Sequence, residues 1–410
     1  MTREAHSPHP LIDFDWIREA AGIADLSPSD CLAYQDTVGP NALFDPVYYR
    51  DTYGTLIPSG MTCLEHFCRQ RRDGPLNPNG LFSTQQWHET IGHRLESPQW
   101  RTVLFETLGQ EARFSREEMA RYREGKVVLS DQVIGPSPRA GQEIVLFVHY
   151  DANDEVAPYV TDYMDALREQ GVCFLFLTNS ARLTPAAWEQ LKGRVWRVVC
   201  SHNKAYDWGL YHVGVRLLER DGFTGHPLIL ANDSVVGTIN SLDPLFVRAR
   251  SGEAEVTGAI DSRIHAWHLQ SFFLYCTASL VGSAAWRDFW AAWRPHHDKW
   301  CVINSHEFGF SRWMQGRGVT MKAAWSYDDV LKAVDIEHAN EWRRALIENK
   351  RDVNPTHELW DVMLECGFPF LKRSVFTMPL ASENLTHMTN VISRIAKRSH
   401  GHSHNMGDRS

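Results

Sequence analysis

At 410 residues, with 43% hydrophobic and 22% charged side chains, the chain can bury two or three cores, which excludes disordered and collagen-like classes. A formal net charge of -8 argues against a nucleic-acid partner, because neutralising phosphates needs a basic face, and the Lys397-Arg398 pair is too small to supply one. Eight scattered cysteines without a Cys-x-x-Cys pair, no apolar leader after Met1 and no apolar stretch near the ~18 residues of a membrane helix lead to the expectation of a soluble, cytoplasmic protein with reduced thiols.

Residues 1–110 carry a degenerate internal repeat. Pro40-Asn41-Ala42-Leu43-Phe44-Asp45 recurs as Pro78-Asn79-Gly80-Leu81-Phe82-Ser83, each copy is followed by aromatics (Tyr48 and Tyr49, then Trp87), and a partial copy begins at Phe14-Asp15-Trp16. Small helical units that bury these aromatics against one another are expected, with a packing or docking role, since no convergent acid, base or metal-ligand set accompanies them. Residues 111–142 read as a charged helix, Arg113 to Lys126, and a linker rich in Pro and Gly, 135–141. From 143 the pattern alternates. The apolar runs 143–149, 172–178, 194–199 and 227–231 predict buried parallel strands, and the segments 159–170 and 185–191 between them predict helices. This βαβ alternation predicts an α/β catalytic domain over 143–330, with an open sheet flanked by helices and a ligand site at the carboxyl ends of the strands. A helical extension over 331–396 and a disordered polar tail over 397–410 complete the expected division.

The chemistry is expected where strands end. Asp233, in Asn232-Asp233-Ser234 directly after the fourth strand, is placed to hold a Mg²⁺ or Mn²⁺ ion against a diphosphate; the plain alternative is an Asn-Asp-Ser turn. Lys204 suits a phosphate and Asp207 a sugar hydroxyl or nucleoside edge, against the alternatives of a solvated lysine and a helix N-cap. His265 and His268 lack the further ligands a zinc site needs, and Gln270 and Ser271 read as polar groups at a cleft edge. Glu307 reads as opening an amphipathic helix, where the dipole favours a carboxylate; a second role is general base for an attacking hydroxyl, with Asp261 as the fallback.

Taken in order, His149-Tyr150-Asp151, Thr178-Asn179-Ser180, the run from His202 to Gly209, Asn232-Asp233-Ser234, His268-Leu269-Gln270-Ser271 and the segment from Asn354 to Arg373 resemble the rhamnan synthesis protein F family of bacterial polysaccharide assembly. The chain has Ser201-His202-Asn203-Lys204-Ala205 where the family usually has Arg-Glu-Asn-Lys-Gly. The resemblance implies a GT-A-like, Rossmann-like fold and an inverting transfer of rhamnose or a related sugar. The implied donor is a nucleotide-diphosphate sugar such as dTDP-rhamnose, and the implied acceptor a lipid-linked glycan at the inner face of the membrane. It further implies donor contacts from His149, Asp151, Asn179, Asn203, Lys204, Asp207 and Asp233, with Asp233 also on a divalent cation. His268, Gln270 and Ser271 would sit on the acceptor side or in the cleft, and Glu307 would be the base. The rival expectation is a non-catalytic scaffold of a polysaccharide-synthesis complex that docks through the N-terminal repeats. The single carboxylate in Asn232-Asp233-Ser234 is what favours it.

Overall fold

The computed structural model describes residues 9–95, 99–202, 204–337, 339–349, 352–377 and 386–395. The expected tail, 397–410, lies outside them. The chain forms two compact units, each assembled from separate stretches. The first comprises residues up to Val127 with 203–209 and Arg287–Arg317; the second comprises Val128–His202, Leu210–Trp286 and the chain from Gly318.

In the first unit, short helices are started by side chains the local sequence supplies. Asp13, Asp45 and Ser83 accept backbone N–H groups at the starts of Phe14–Ala21, Pro46–Tyr53 and Thr84–Thr90. Just upstream, Asn41 and Asn79 make matching hydrogen bonds. Asn41 Oδ1 accepts from the N–H groups of Leu43 and Phe44 at 2.9 and 3.0 Å, and Asn79 Oδ1 from those of Leu81 and Phe82 at 2.8 Å. Each amide then donates backward, Asn41 to the Leu11 carbonyl and Asn79 to the Leu43 carbonyl, both at 2.7 Å. The N–H groups of Asp13 and Asp45 donate forward to the carbonyls of Pro40 and Pro78 at 2.8 and 2.9 Å. The bonding therefore begins at Leu11-Ile12-Asp13, upstream of the Phe14 start that the sequence suggests. Phe44, Tyr49, Phe67, Phe82, Trp87, Trp100 and Phe105 form the core beneath it.

This ladder must end somewhere without stranding its last polar groups. Asn304 accepts from the Ser83 N–H at 2.8 Å and donates to its carbonyl at 2.9 Å. The Arg312 guanidinium donates to the Leu81 carbonyl, to Gln86 Oε1 and, at 3.1 Å, to the Asn304 carbonyl. Burial pulls Arg312 down to about 10, so it remains charged at neutral pH. Replacing it with Met leaves three acceptors without their donor. Arg312→Met is expected to lower stability by about 3 kcal/mol, the cost of stranding buried acceptors, in urea unfolding followed by tryptophan fluorescence. A midpoint equal to that of the parent would remove Arg312 from this role.

The second unit is built, among its described residues, on eleven strands, nine in one mixed sheet and two in a separate pair. Its strands are β1 (Val128–Val133), β2 (Ile144–His149), β3 (Cys173–Thr178), β4 (Arg197–Ser201), β5 (Leu228–Asn232), β6 (Val235–Gly237), β7 (Val256–Ser262), β8 (His268–Leu269), β9 (Phe273–Cys276), β10 (Met321–Trp325) and β11 (Phe370–Lys372). The order is β1-β4-β3-β2-β5-β9-β7-β10, with β8 on β7, while β6 and β11 form a separate antiparallel pair. Strands β4, β3, β2 and β5 are mutually parallel, and β2, β4 and β5 are buried along their whole length, as the apolar runs of β2 and β5 lead one to expect. The expected helices appear as Pro158–Glu169 and Pro185–Leu191.

Three features depart from the sequence reading. Beyond β5 the sheet is mixed, because β9 runs antiparallel between β5 and β7 while β10 pairs parallel with β7. β1 adds an antiparallel edge where a linker was expected. Its residues are mostly exposed and lack an apolar run, and buried Arg197 anchors the edge by pairing with Asp131 of β1 and, at 2.6 Å, with Asp221. The third expected strand begins later, at Arg197, because Arg194 turns away to pair with Asp165 at 2.8 Å. The helix Tyr206–Arg220 approaches the sheet at Gly214, where a Cβ would lie 2.8 Å from Leu177 and 3.1 Å from Leu146.

Candidate functional site

The connections from β2 to β3 and from β3 to β4 step one way across the sheet, whereas β5 pairs on the other side of β2. The strand order therefore reverses between β2 and β5, and the loops leaving their carboxyl ends flank the position, the crevice, where open α/β sheets bind ligands. The β2 side carries His149, Tyr150 and Asp151; the β5 side carries Asn232, Asp233 and Ser234.

His149 is buried, with Nδ1 3.0 Å from Thr178 Oγ1. Burial pushes it down to about 4, against the pull of Asp151 and helped by Arg373. Asn179 donates its N–H to the His149 carbonyl at 3.0 Å. Asp151 shapes its own loop: Oδ1 accepts from the N–H groups of Asn153 at 2.8 Å and Glu155 at 3.3 Å, and its carbonyl accepts from Ser180 Oγ at 3.0 Å. The Asp233 N–H donates to the Val148 carbonyl at 3.1 Å, and its Oδ2 lies 3.5 Å from the Tyr150 nitrogen. The structure thus brings His149, Asp151, Asn179 and Asp233 together.

Two cations complete the crevice. β11 pairs with β6 so that Lys372 faces Val235, and the Arg373 N–H donates to the Ser234 carbonyl at 2.9 Å. This register places Arg373 Nη1 3.4 Å from Asp233 Oδ2 and 3.3 Å from its carbonyl, with the guanidinium 5.0 Å from the Tyr159 ring. Lys372 Nζ donates to Ser234 Oγ at 2.8 Å and sits 4.7 Å from the Phe272 ring. Burial, and after it the Asp233 charge, push the Tyr159 hydroxyl up to about 12, with Arg373 opposing. Sequence reasoning chose none of these three as site residues. The available signal was a Lys-Arg pair directly after the apolar run Phe368-Pro369-Phe370-Leu371.

Gln270 is buried in a closed network, donating to Asn354 Oδ1 at 2.9 Å and accepting from Thr356 Oγ1 at 3.2 Å. His268 is buried, with Nδ1 2.8 Å from the Ala266 carbonyl, and the Ser271 carbonyl accepts from Tyr211 at 3.3 Å. Asp261, the fallback base, is a buried acceptor for Trp267 Nε1 at 2.7 Å and the Tyr327 N–H at 2.6 Å. In the first unit, Lys204 is exposed and Asp207 lies in the first turn of Tyr206–Arg220, inside the helix and not at its cap; Asn203 lies outside the described residues. Glu307 does not open a helix. The helical run begins after Asp298, which accepts the Cys301 N–H at 2.9 Å, and Glu307 closes a π-helical turn, Ile303–Glu307, before Phe308–Gln315. The dipole argument made for it from the sequence therefore fails.

Asp233 faces Arg373, and Asp151 Oδ1 is taken up by backbone N–H groups. Among the described residues, the one group of three His, Cys, Asp or Glu side chains with ligand atoms within 4.8 Å of one another is Glu111, His296 and Cys301, in the first unit. There Glu111 accepts from the N–H groups of His297 and Asp298 at 2.9 and 3.0 Å and lies 3.0 Å from His296 Nδ1, tying down the start of the helical run. Among the described residues no helix is long and apolar enough to cross a membrane.

Charged side chains thus gather at the strand-order reversal of an α/β sheet, the place where sheets of this class bind ligands. The chain belongs to the rhamnan synthesis protein F family, whose pattern matches residues 174–401, more than half of its length. It is also similar to the virulence protein VirA of Vibrio anguillarum, at 26% identity over 188 residues, 42% of this chain and 60% of that protein. An uncharacterized protein, y4gN, of Sinorhizobium fredii is 26% identical over 135 residues, 32% of this chain and 35% of its own length. The chain thus spans between about a third and three fifths of the curated relatives it matches.

His149 gives the crevice a pH signature. Its folded value of about 4 is below the ordinary 6.5, so between these values the unfolded chain takes up a proton that the folded chain refuses. Its contribution to stability is therefore complete above about pH 6.5 and falls as pH drops towards 4, by up to about 3 kcal/mol. Unfolding measured across this window is expected to show a shallower fall for His149→Gln than for the parent. An identical pH dependence would assign the titration to other groups, such as His88 of the first unit, which is also pushed down to about 4.

Proposed function

We propose that this protein is a glycosyltransferase of bacterial polysaccharide synthesis that binds a nucleotide-diphosphate sugar in the crevice between β2 and β5. The observation that carries the reading is the convergence of Asp233, Lys372, Arg373 and Tyr159 on that crevice, an arrangement that suits a donor with a sugar at one end and a charged diphosphate at the other. Family membership supports it, since the family description is rhamnan synthesis. In this reading the fold is a GT-A-like variant, the sugar is rhamnose or a close relative delivered as a dTDP-rhamnose type donor, and the acceptor is a lipid-linked glycan met at the inner membrane face. His149, Asp151 and Asn179 shape the donor side.

Transfer is proposed to invert the anomeric centre. The acceptor oxygen forms the new bond to the anomeric carbon, its proton goes to a base, and the electron pair of the broken glycosidic bond leaves on the diphosphate. The roles of Glu307 as base and of Lys204 and Asp207 at the donor rest on the family resemblance. Glu307→Gln is expected to lower transfer by about 10²–10⁴-fold while leaving donor affinity and melting temperature near those of the parent. Unchanged turnover would remove it from the reaction.

A panel of nucleotide-diphosphate sugars, assayed by thermal shift and by slow donor hydrolysis, tests the reading as a whole. The cognate donor should raise the melting temperature by mass action and release its nucleoside diphosphate. Binding without turnover would favour the scaffold reading, which the single carboxylate at Asn232-Asp233-Ser234 keeps in view. No response to any donor would sink both the donor site and the activity.

A further inference from the structure

Resting on the reading of the crevice as the donor site, we infer that Lys372 and Arg373, and not a divalent cation, hold the donor's diphosphate. A Mg²⁺ or Mn²⁺ ion bridging protein and diphosphate is hard and wants oxygen ligands, usually one or two carboxylates with water and phosphate oxygens. The crevice supplies the wrong charges for that arrangement. The Asp233 carboxylate already has a guanidinium 3.4 Å away, and a cation placed on the same oxygens would face Arg373 at close range. Asp151 Oδ1 is committed to the N–H groups of Asn153 and Glu155.

The same geometry provides what a metal would otherwise supply. Antiparallel pairing of β11 with β6 fixes the backbone of Lys372, and the Arg373 N–H is anchored on Ser234. The two cations therefore stand in sequence at the rim where β5 ends. Arg373 is braced by the Tyr159 ring and by Asp233, yet its side chain is 46% exposed, so its planar fork is oriented and accessible. Lys372 is half-buried between the Phe272 ring and Ser234 Oγ. A guanidinium offers paired donors to phosphate oxygens and an ammonium offers a compact charge. Together they carry two positive charges, which offset the negative charges of Asp233 and Asp151 in the same crevice. When the bond from the anomeric carbon to the phosphate oxygen breaks, its electron pair stays on the leaving diphosphate, and these two cations neutralise it. Asp233 acts here as a positioning residue for Arg373.

Calorimetric titration of the full chain with UDP, dTDP, GDP and CDP, once in EDTA and once in Mg²⁺ or Mn²⁺, tests this. The best nucleoside diphosphate is expected to bind with the same affinity in both buffers, within about threefold. Arg373→Gln and Lys372→Gln are each expected to weaken it about tenfold or more, the worth of a hydrogen bond to a charged group, while leaving the affinity for the parent nucleoside unchanged. Asp233→Asn should shift affinity by the same factor with and without metal. Melting temperatures of the three variants confirm that they fold, and the comparison of buffers on the parent needs no variant. Binding that appears only with metal, or an Asp233→Asn effect seen only with metal, overturns the inference and leaves the donor site standing. Nucleoside diphosphate affinity unchanged in both cation variants also overturns it. No binding of any nucleoside diphosphate in either buffer overturns the inference and the donor-site reading together.

Discussion

The side on which β5 pairs with β2 organises the second unit. A chain that continued outward from β4 would stack every loop along one edge and leave no gap between them. By returning to the free side of β2, β5 makes the strand order reverse there, and the ends of the two strands bring their polar side chains to a common place. Buried strands make this reversal rigid. β2 and β5 share a register from Ile144 opposite Leu228 to Val148 opposite Asn232, so His149 and Asp233 emerge at nearly the same height.

What stands in that space is decided by a segment far away in sequence. β11 is only three residues long, yet its pairing with β6 delivers Lys372 and Arg373 to the loop that follows β5. The segment is secured on its other side by the buried Gln270, Asn354 and Thr356 network and by the two bonds from Asn240 Nδ2 to the carbonyls of Leu364 and Phe368, each 2.9 Å. Gln270, read from the sequence as a cleft residue, thus supports the site by holding the chain that carries its cations.

The first unit solves a different problem, that of ending a series of short helices without unpaired backbone. Asn41 and Asn79 each link one helix start to the preceding one, and Asn304 and Arg312 close the series. The π-helical turn from Ile303 to Glu307 contains Asn304. Such turns are frequent at functional sites, but this one has a structural task in satisfying Ser83.

The sequence by itself determined the elements whose signal is local. The apolar runs of β2, β3 and β5, the helices at Pro158–Glu169 and Pro185–Leu191, and the position of Asp233 at a strand end could all be read from periodicity, turn chemistry and strand burial. The family could be read from motifs in order. Tertiary structure alone decided the rest, because the deciding contacts join residues far apart in the chain. An exposed strand such as β1 is set by the Arg197 to Asp131 pair, an antiparallel β9 by its place between β5 and β7, and the ionic company of Asp233 by Arg373, 140 residues later. Glu307 shows the same limit in reverse: a glutamate before an amphipathic stretch looks like a helix start, but the chain is already helical there, since Asp298 starts the run upstream. A local pattern fixes which residues can begin or line an element. Which charges then meet depends on strand pairing and register, and these are set by burial across the whole fold.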